Sequence, residues 1–134
     1  MAIYYHEDIR AGLLAGIDRM ADPVRATMGP KGRNVSMHQK ANVRDASYAD
    51  RAASDAPVLI TNDGVTIAKG IVLSDPVENM GAELLREAAE KVNSVAGDGT
   101  STAILLTQSI LHAAFRSLAA GANPVLLDRG IRAA

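Results

Sequence analysis

Three short stretches of this 134-residue chain place glycine beside charged or hydroxyl side chains, the combination that binds anions. The first is Thr27-Met28-Gly29-Pro30-Lys31-Gly32-Arg33. Two glycines there let backbone N–H groups come close to an anion, and Lys31 and Arg33 add positive charge. The same stretch also reads as a helix C-cap followed by a turn. The second is Gly97-Asp98-Gly99-Thr100-Ser101-Thr102. A glycine-bracketed loop that opens a helix offers unpaired first-turn N–H groups and the positive end of the helix dipole. Asp98 is at odds with a phosphate unless a divalent cation lies between them, and Mg²⁺ favours one or two carboxylates together with phosphate oxygens. A turn with Ser/Thr capping is the equal alternative. The third is Thr61-Asn62-Asp63-Gly64-Val65-Thr66, in which Asp63 could orient an attacking water, although a lone Asp-Gly is more often a plain turn. None of the three is a Walker A loop.

Helices must position these loops. Ile9, Leu13, Ile17, Met20, Val24 and Met28 recur at spacings of three and four, which predicts a helix over 7–28 stopped by Gly29-Pro30. Strands are predicted at 35–39 and 58–61. Between them, 40–57 lacks an apolar period and reads as an exposed insertion, cut first by proteases near Arg44 or Arg51. Asn62-Asp63-Gly64 predicts a tight turn with positive φ, and 65–67 continues as strand or as the start of a short helix. Asp75-Pro76 predicts a capped helix. Its expected apolar face is Val77, Met80, Leu84, Leu85, Ala88 and Val92, and its expected solvent face is Glu83, Arg86, Glu87, Glu90 and Lys91. A strongly apolar helix over about 100–119 is expected to be the central, most buried one. Asn123-Pro124 opens another, which runs to the last residue and suggests a fragment. Met20, Met28 and Met80 are expected in the core, whereas His6, His38 and His112 read as surface or helix-face residues.

Composition narrows the function classes. With 48% hydrophobic and 22% charged residues, the chain reads as an ordinary globular domain with a real core. Tyr4, Tyr5, Tyr48 and Phe115 are its only aromatics, so aliphatic side chains must fill that core. A net charge of −1 with no basic stripe argues against nucleic-acid binding. No cysteine means no thiolate metal site and no disulfide. Charges in MAIYYHEDIR sit where a signal peptide needs apolar residues, and no run approaches the roughly 20 residues of a membrane span. A cytoplasmic protein is the expectation.

TMGPKGRNV (27–35), TNDGVTIAK (61–69), GDGTSTA (97–103) and GANPVLLDRGI (121–131) stand in the order of the chaperonin equatorial domain. NMGAELLREAAEKVNSVAGDGT (79–100) is similar as well. The chain resembles group I chaperonins over nearly its whole length outside 38–57, and RNV and GANPV favour that group. The resemblance implies a mostly α fold, with about four helices plus a small β-hairpin. It makes residues 1–134 the N-terminal part of the equatorial, ATP-binding domain, without apical and intermediate domains. The implied function is ATP-dependent protein folding; the alternative is a ring-association module that binds no nucleotide.

The family pattern implies the site residues too. Thr27, Met28, Gly29 and Pro30 would lie along the nucleotide. Gly97, Gly99, Thr100, Ser101 and Thr102 would cradle the phosphates, and Asp98 would hold Mg²⁺. Asp63 would support hydrolysis, and a K⁺ ion would sit near the phosphates on backbone carbonyls. The implied partners are other subunits of the same kind. Unfolded substrates and a co-chaperonin would engage only the absent domains, so the piece alone is expected to lack ATPase activity and to form a small oligomer, most simply a dimer. Asn62 departs from the pattern, since group I members usually carry lysine there and group II chaperonins share this Thr-Asn-Asp-Gly. The insertion at 40–57 also departs, in a hairpin that reaches the neighbouring subunit in the family.

Overall fold

A computed structural model describes residues 7–38 and 58–134. The chain runs α1 (Glu7–Ala26), β1 (Val35–His38), β2 (Val58–Thr61), α2 (Gly64–Gly70), α3 (Pro76–Ala96), α4 (Thr100–Ala119) and α5 (Pro124–Ala133). The mostly helical architecture with one small sheet agrees with the sequence-based expectation, and α2 adds a fifth helix. The expected insertion at 40–57, its protease sites, the segment Ala2–Tyr5 and His6 lie outside the described residues.

Two starts follow their local chemistry. Asp75 caps α3, its Oδ1 accepting from the N–H groups of Val77 and Glu78, both at 2.9 Å, with Pro76 at the first helical position. Asn123 caps α5 in the same way, accepting from the Val125 N–H at 2.9 Å. Helix α1 ends at Ala26, two residues before the expected Met28, and it contains Pro23, which cannot donate to the Arg19 carbonyl.

The core gathers on α1. Ile17, Met20, Ala21 and Val24 are fully buried against Ile67 and Ala68 of α2, Ala82, Leu85 and Ala89 of α3, and Ile104 of α4. Helices α1 and α3 meet backbone to backbone. A Cβ on Gly16 would stand 1.8 Å from the Glu78 carbonyl oxygen, and one on Gly81 would stand 2.2 Å from that of Leu13. This contact turns the buried face of α3 toward its small residues: Gly81, Ala82, Leu85 and Ala89 are buried, while Met80 and Leu84 are exposed. The expected α3 face was thus displaced, because large apolar side chains cannot fit where two backbones touch.

Helix α4 is not the central helix. It buries only Thr100, Ile104 and Gln108, and Leu106 is 58% exposed, because α1, α2 and α3 cover one side of it among the described residues. Met28 is likewise exposed rather than in the core, since α1 has ended before it. Strands β1 and β2 pair antiparallel with Val35 opposite Thr61 and His38 opposite Val58. That register sets the loop leaving α1 beside the loop entering α2.

Candidate functional site

Helix α3 ends and α4 begins within three residues. Gly97 closes α3 in the left-handed region (φ 70°), its N–H donating to the Asn93 carbonyl at 3.0 Å. Gly99 is the N-cap of α4 at φ 79°, which a side chain would resist. A Cβ at either glycine would meet nothing within 4 Å, so the backbone here faces open space. Gly99 has no side chain to cap the helix, which leaves the first-turn N–H groups of Thr100, Ser101 and Thr102 available to an anion. Thr100 is buried, Ser101 partly buried and Thr102 exposed. Asp98 lies between the glycines, exposed, with Oδ1 accepting from the Gly99 N–H at 2.7 Å.

Asp63 is the N-cap of α2, not part of a hairpin turn. Its φ and ψ are −80° and 121°, and Gly64 is already the first helical residue, without positive φ. Asp-Gly serves both local geometries, so the sequence alone did not separate them. Asp63 Oδ2 accepts from the Thr66 N–H at 3.0 Å and from the Thr66 hydroxyl at 2.5 Å, and its own N–H donates to Thr61 Oγ1 at 3.1 Å. The Thr66 hydroxyl bond, with help from the Thr66 and Val65 N–H groups and Lys69, outweighs partial burial and holds the carboxyl below its usual range. Asp63 is therefore ionised at neutral pH.

Gly64 joins the two loops. A Cβ there would lie 2.5 Å from Ser101 Oγ and 3.0 Å from Ser101 N and Cα. Only a glycine lets the N-terminus of α2 rest on the first turn of α4, and the contact sets Asp63 beside the 97–102 loop. The third stretch folds on itself after α1. Thr27 Oγ1 donates to the Val24 carbonyl at 2.7 Å, Gly29 takes φ 81°, and the Arg33 N–H returns to the Ala26 carbonyl at 2.8 Å. Pro30 is exposed beside it. The Val35–Thr61 pairing ties this loop to Asp63. Arg25 donates to Gln108 at 2.6 Å, about two turns into α4, so the C-terminal end of α1 and the N-terminal end of α4 lie at the same end of the helices. All three stretches thus meet at one end of the fold.

The chain matches the family model described as the TCP-1/cpn60 chaperonin family over residues 20–134. It belongs to the chaperonins. It is 53% identical over 129 residues to chaperonin GroEL of Acholeplasma laidlawii (strain PG-8A), a match covering 96% of this chain and 22% of that protein. Among solved structures it resembles the chaperonin gp146 of the Pseudomonas aeruginosa bacteriophage EL, with a TM-score of 0.64 and 27% identity over 83% of this chain and 17% of the other. The chain spans about a fifth of the length of these relatives.

No three His, Cys, Asp or Glu side chains cluster as a metal site among the described residues of this chaperonin chain. Asp98 beside an anion cradle fits a Mg²⁺ that takes its remaining ligands from phosphate and water. No described helix is long and apolar enough to cross a membrane.

Between α1 and α4, a cleft of about 620 Å³ is lined by Asp18, Asp22, Arg25, Gln108, His112 and Arg116. His112 Nε2 lies 2.7 Å from Asp18 Oδ1, which also accepts from Gln108 Nε2 at 2.6 Å. His112 is a helix-face residue, as expected, but no sequence signal pairs it with an aspartate 94 positions away. Burial pushes the Asp18 carboxyl up, and the His112 and Gln108 bonds with the charges of His112 and Arg25 more than reverse it, leaving it below 3.8. A carboxyl lowered by folding stabilises above its unfolded value, and that contribution is lost as the pH falls through the folded value. Both side chains are more than a third exposed, so screening limits the gain to about 0.5 kcal/mol. Asp18→Asn should lower the melting temperature by about 2 °C at pH 6, and the gap should shrink progressively as the pH falls below the ordinary carboxylate range. Thermal melts across that range test this; a gap that widens on acidification would contradict it.

Proposed function

We propose that these residues form the ATP-binding N-terminal part of a chaperonin equatorial domain and that the whole protein folds other proteins at the expense of ATP. The observation that carries this reading is the seat of Gly64 on Ser101, which puts an ionised aspartate beside a glycine-bracketed helix start. In support, the related bacteriophage EL chaperonin was crystallised in the presence of ATP-BeFx. The N–H groups of Thr100, Ser101 and Thr102, with the open backbone at Gly97 and Gly99, cradle the phosphates. Thr27, Met28, Gly29 and Pro30 lie along the rest of the nucleotide. Asp98 holds Mg²⁺, which neutralises charge on the phosphate oxygens. Asp63 orients the attacking water.

Subunits of this kind assemble with copies of themselves in the cytoplasm. Unfolded proteins and a co-chaperonin are engaged by parts of the protein beyond these residues.

Calorimetric titration of ATP into a full-length chaperonin carrying this sequence tests the reading. Saturable binding that needs Mg²⁺ is expected, weakened about 100-fold or more by Asp98→Ala. Unchanged affinity in that variant would remove Asp98 from the metal role. Failure of the unsubstituted protein to bind ATP would leave a module for ring association alone.

A further inference from the structure

We propose that Arg86 is a positioning residue for ATP hydrolysis, holding α2 so that Asp63 stays against the phosphate loop. The inference rests on the role proposed above for Asp63. Helix α2 has only two turns, too few to persist without tertiary support. Its N-terminus has the Asp63 cap and the Ser101 contact. Its C-terminus has no left-handed closure, because Ile71 is extended there (φ −86°, ψ 119°). The guanidinium of Arg86 takes over that end. Nε donates to the Ala68 carbonyl at 3.1 Å, Nη2 donates to the Ile71 carbonyl at 2.6 Å, and Nη1 pairs with Glu83.

The side chain is only 16% exposed, although its position in the sequence reads as solvent-facing. Buried Ile67 and Ala68 fix how deeply α2 sits, but apolar contacts are not directional and leave the helix free to slide or roll. Two directional bonds from one planar fork, itself held on α3 by Glu83, do not. They also tie α2 to α3, the helix whose last residue, Ala96, leads directly into the Gly97–Thr102 loop. Arg86 therefore sets the position of Asp63 relative to Asp98 through one rigid element.

The test measures steady-state ATP hydrolysis in a full-length chaperonin carrying this sequence. Arg86→Met keeps the apolar stem and removes all three bonds. It should lower kcat about tenfold with KM for ATP changed less than about twofold. Arg86→Lys retains the charge and can reach one carbonyl, so it should recover most of that, to within about threefold of the unsubstituted protein. If Arg86 acts through Asp63, then Arg86→Met added to Asp63→Ala should cause no further fall. Multiplicative effects in the double variant would overturn the proposal. A slow Asp63→Ala beside a normal Arg86→Met removes only this inference, whereas a normal Asp63→Ala removes the reading of Asp63 and this inference with it. Should Arg86→Met fail to assemble, the same cycle is run with Arg86→Gln, which loses the planar fork and should lower kcat severalfold; a kcat equal to that of the unsubstituted protein then overturns the proposal.

Discussion

Asp63→Ala in a full-length chaperonin carrying this sequence is expected to lower kcat for ATP hydrolysis by about 100-fold while ATP affinity stays within about twofold. A group that orients water acts mainly in the transition state, so its loss appears in turnover and not in binding. Asp63 has a second task that alanine also abolishes, because its Oδ2 caps α2 through the Thr66 N–H and hydroxyl. Losing an N-cap costs about 1 kcal/mol of helix stability. Asp63→Asn separates the two. Asparagine caps a helix as well as aspartate does, but carries no negative charge. Turnover should stay low in Asp63→Asn while the melting temperature returns. Recovery of turnover with asparagine would show that Asp63 serves only as a cap, and so would a fall in affinity as large as the fall in kcat. The 134-residue chain alone should show no steady phosphate release; release abolished by Asp63→Ala would contradict that.

Gly81→Ala is expected to destabilise the protein by about 2–3 kcal/mol, opposite in sign to the usual effect of that substitution. In a helix interior, replacing glycine by alanine gains up to about 1 kcal/mol from propensity and the unfolded chain. Here the new methyl would meet the Leu13 carbonyl oxygen at 2.2 Å and the Ile17 nitrogen at 3.2 Å. Both obstacles are backbone, so the helices must part, and parting them opens the core around Ile17 and Leu85. Gly16→Ala meets the Glu78 carbonyl from the other side and should behave alike. Urea midpoints decide the matter. A neutral or stabilising Gly81→Ala would mean that α1 and α3 do not cross this closely.

How much of this was legible in the sequence depended on how far each signal reaches along the chain. Caps reach two or three residues, so Asp75-Pro76 and Asn123-Pro124 announced α3 and α5 directly. Periodicity found α1 and α4 but not their partners, which is why the apolar α4 was expected at the centre and yet exposes Leu106. Hydrophobic patterning gives glycine and alanine little weight, so it missed the Gly16–Gly81 crossing and turned α3 toward Met80 and Leu84. Arg86 looked solvated because the carbonyls it holds belong to a different helix. The composition of the three loops was readable from their residue types. Their meeting was not, since it depends on pairs far apart in the chain: Gly64 with Ser101, Val35 with Thr61 and Arg25 with Gln108.

The two-stranded ladder has an evolutionary consequence. Its Val35–Thr61 end adjoins the loops at 27–34 and 62–63, and its His38–Val58 end points away from them along the strands. Four pairs of residues therefore separate the site from whatever chain joins His38 to Val58. Residues can be gained or lost in that connection without changing which residues face each other at Val35 and Thr61, because closing a longer loop costs little and leaves the register intact. The ladder acts as a graft junction. A change of length on its far side leaves the pairing on its near side as it was.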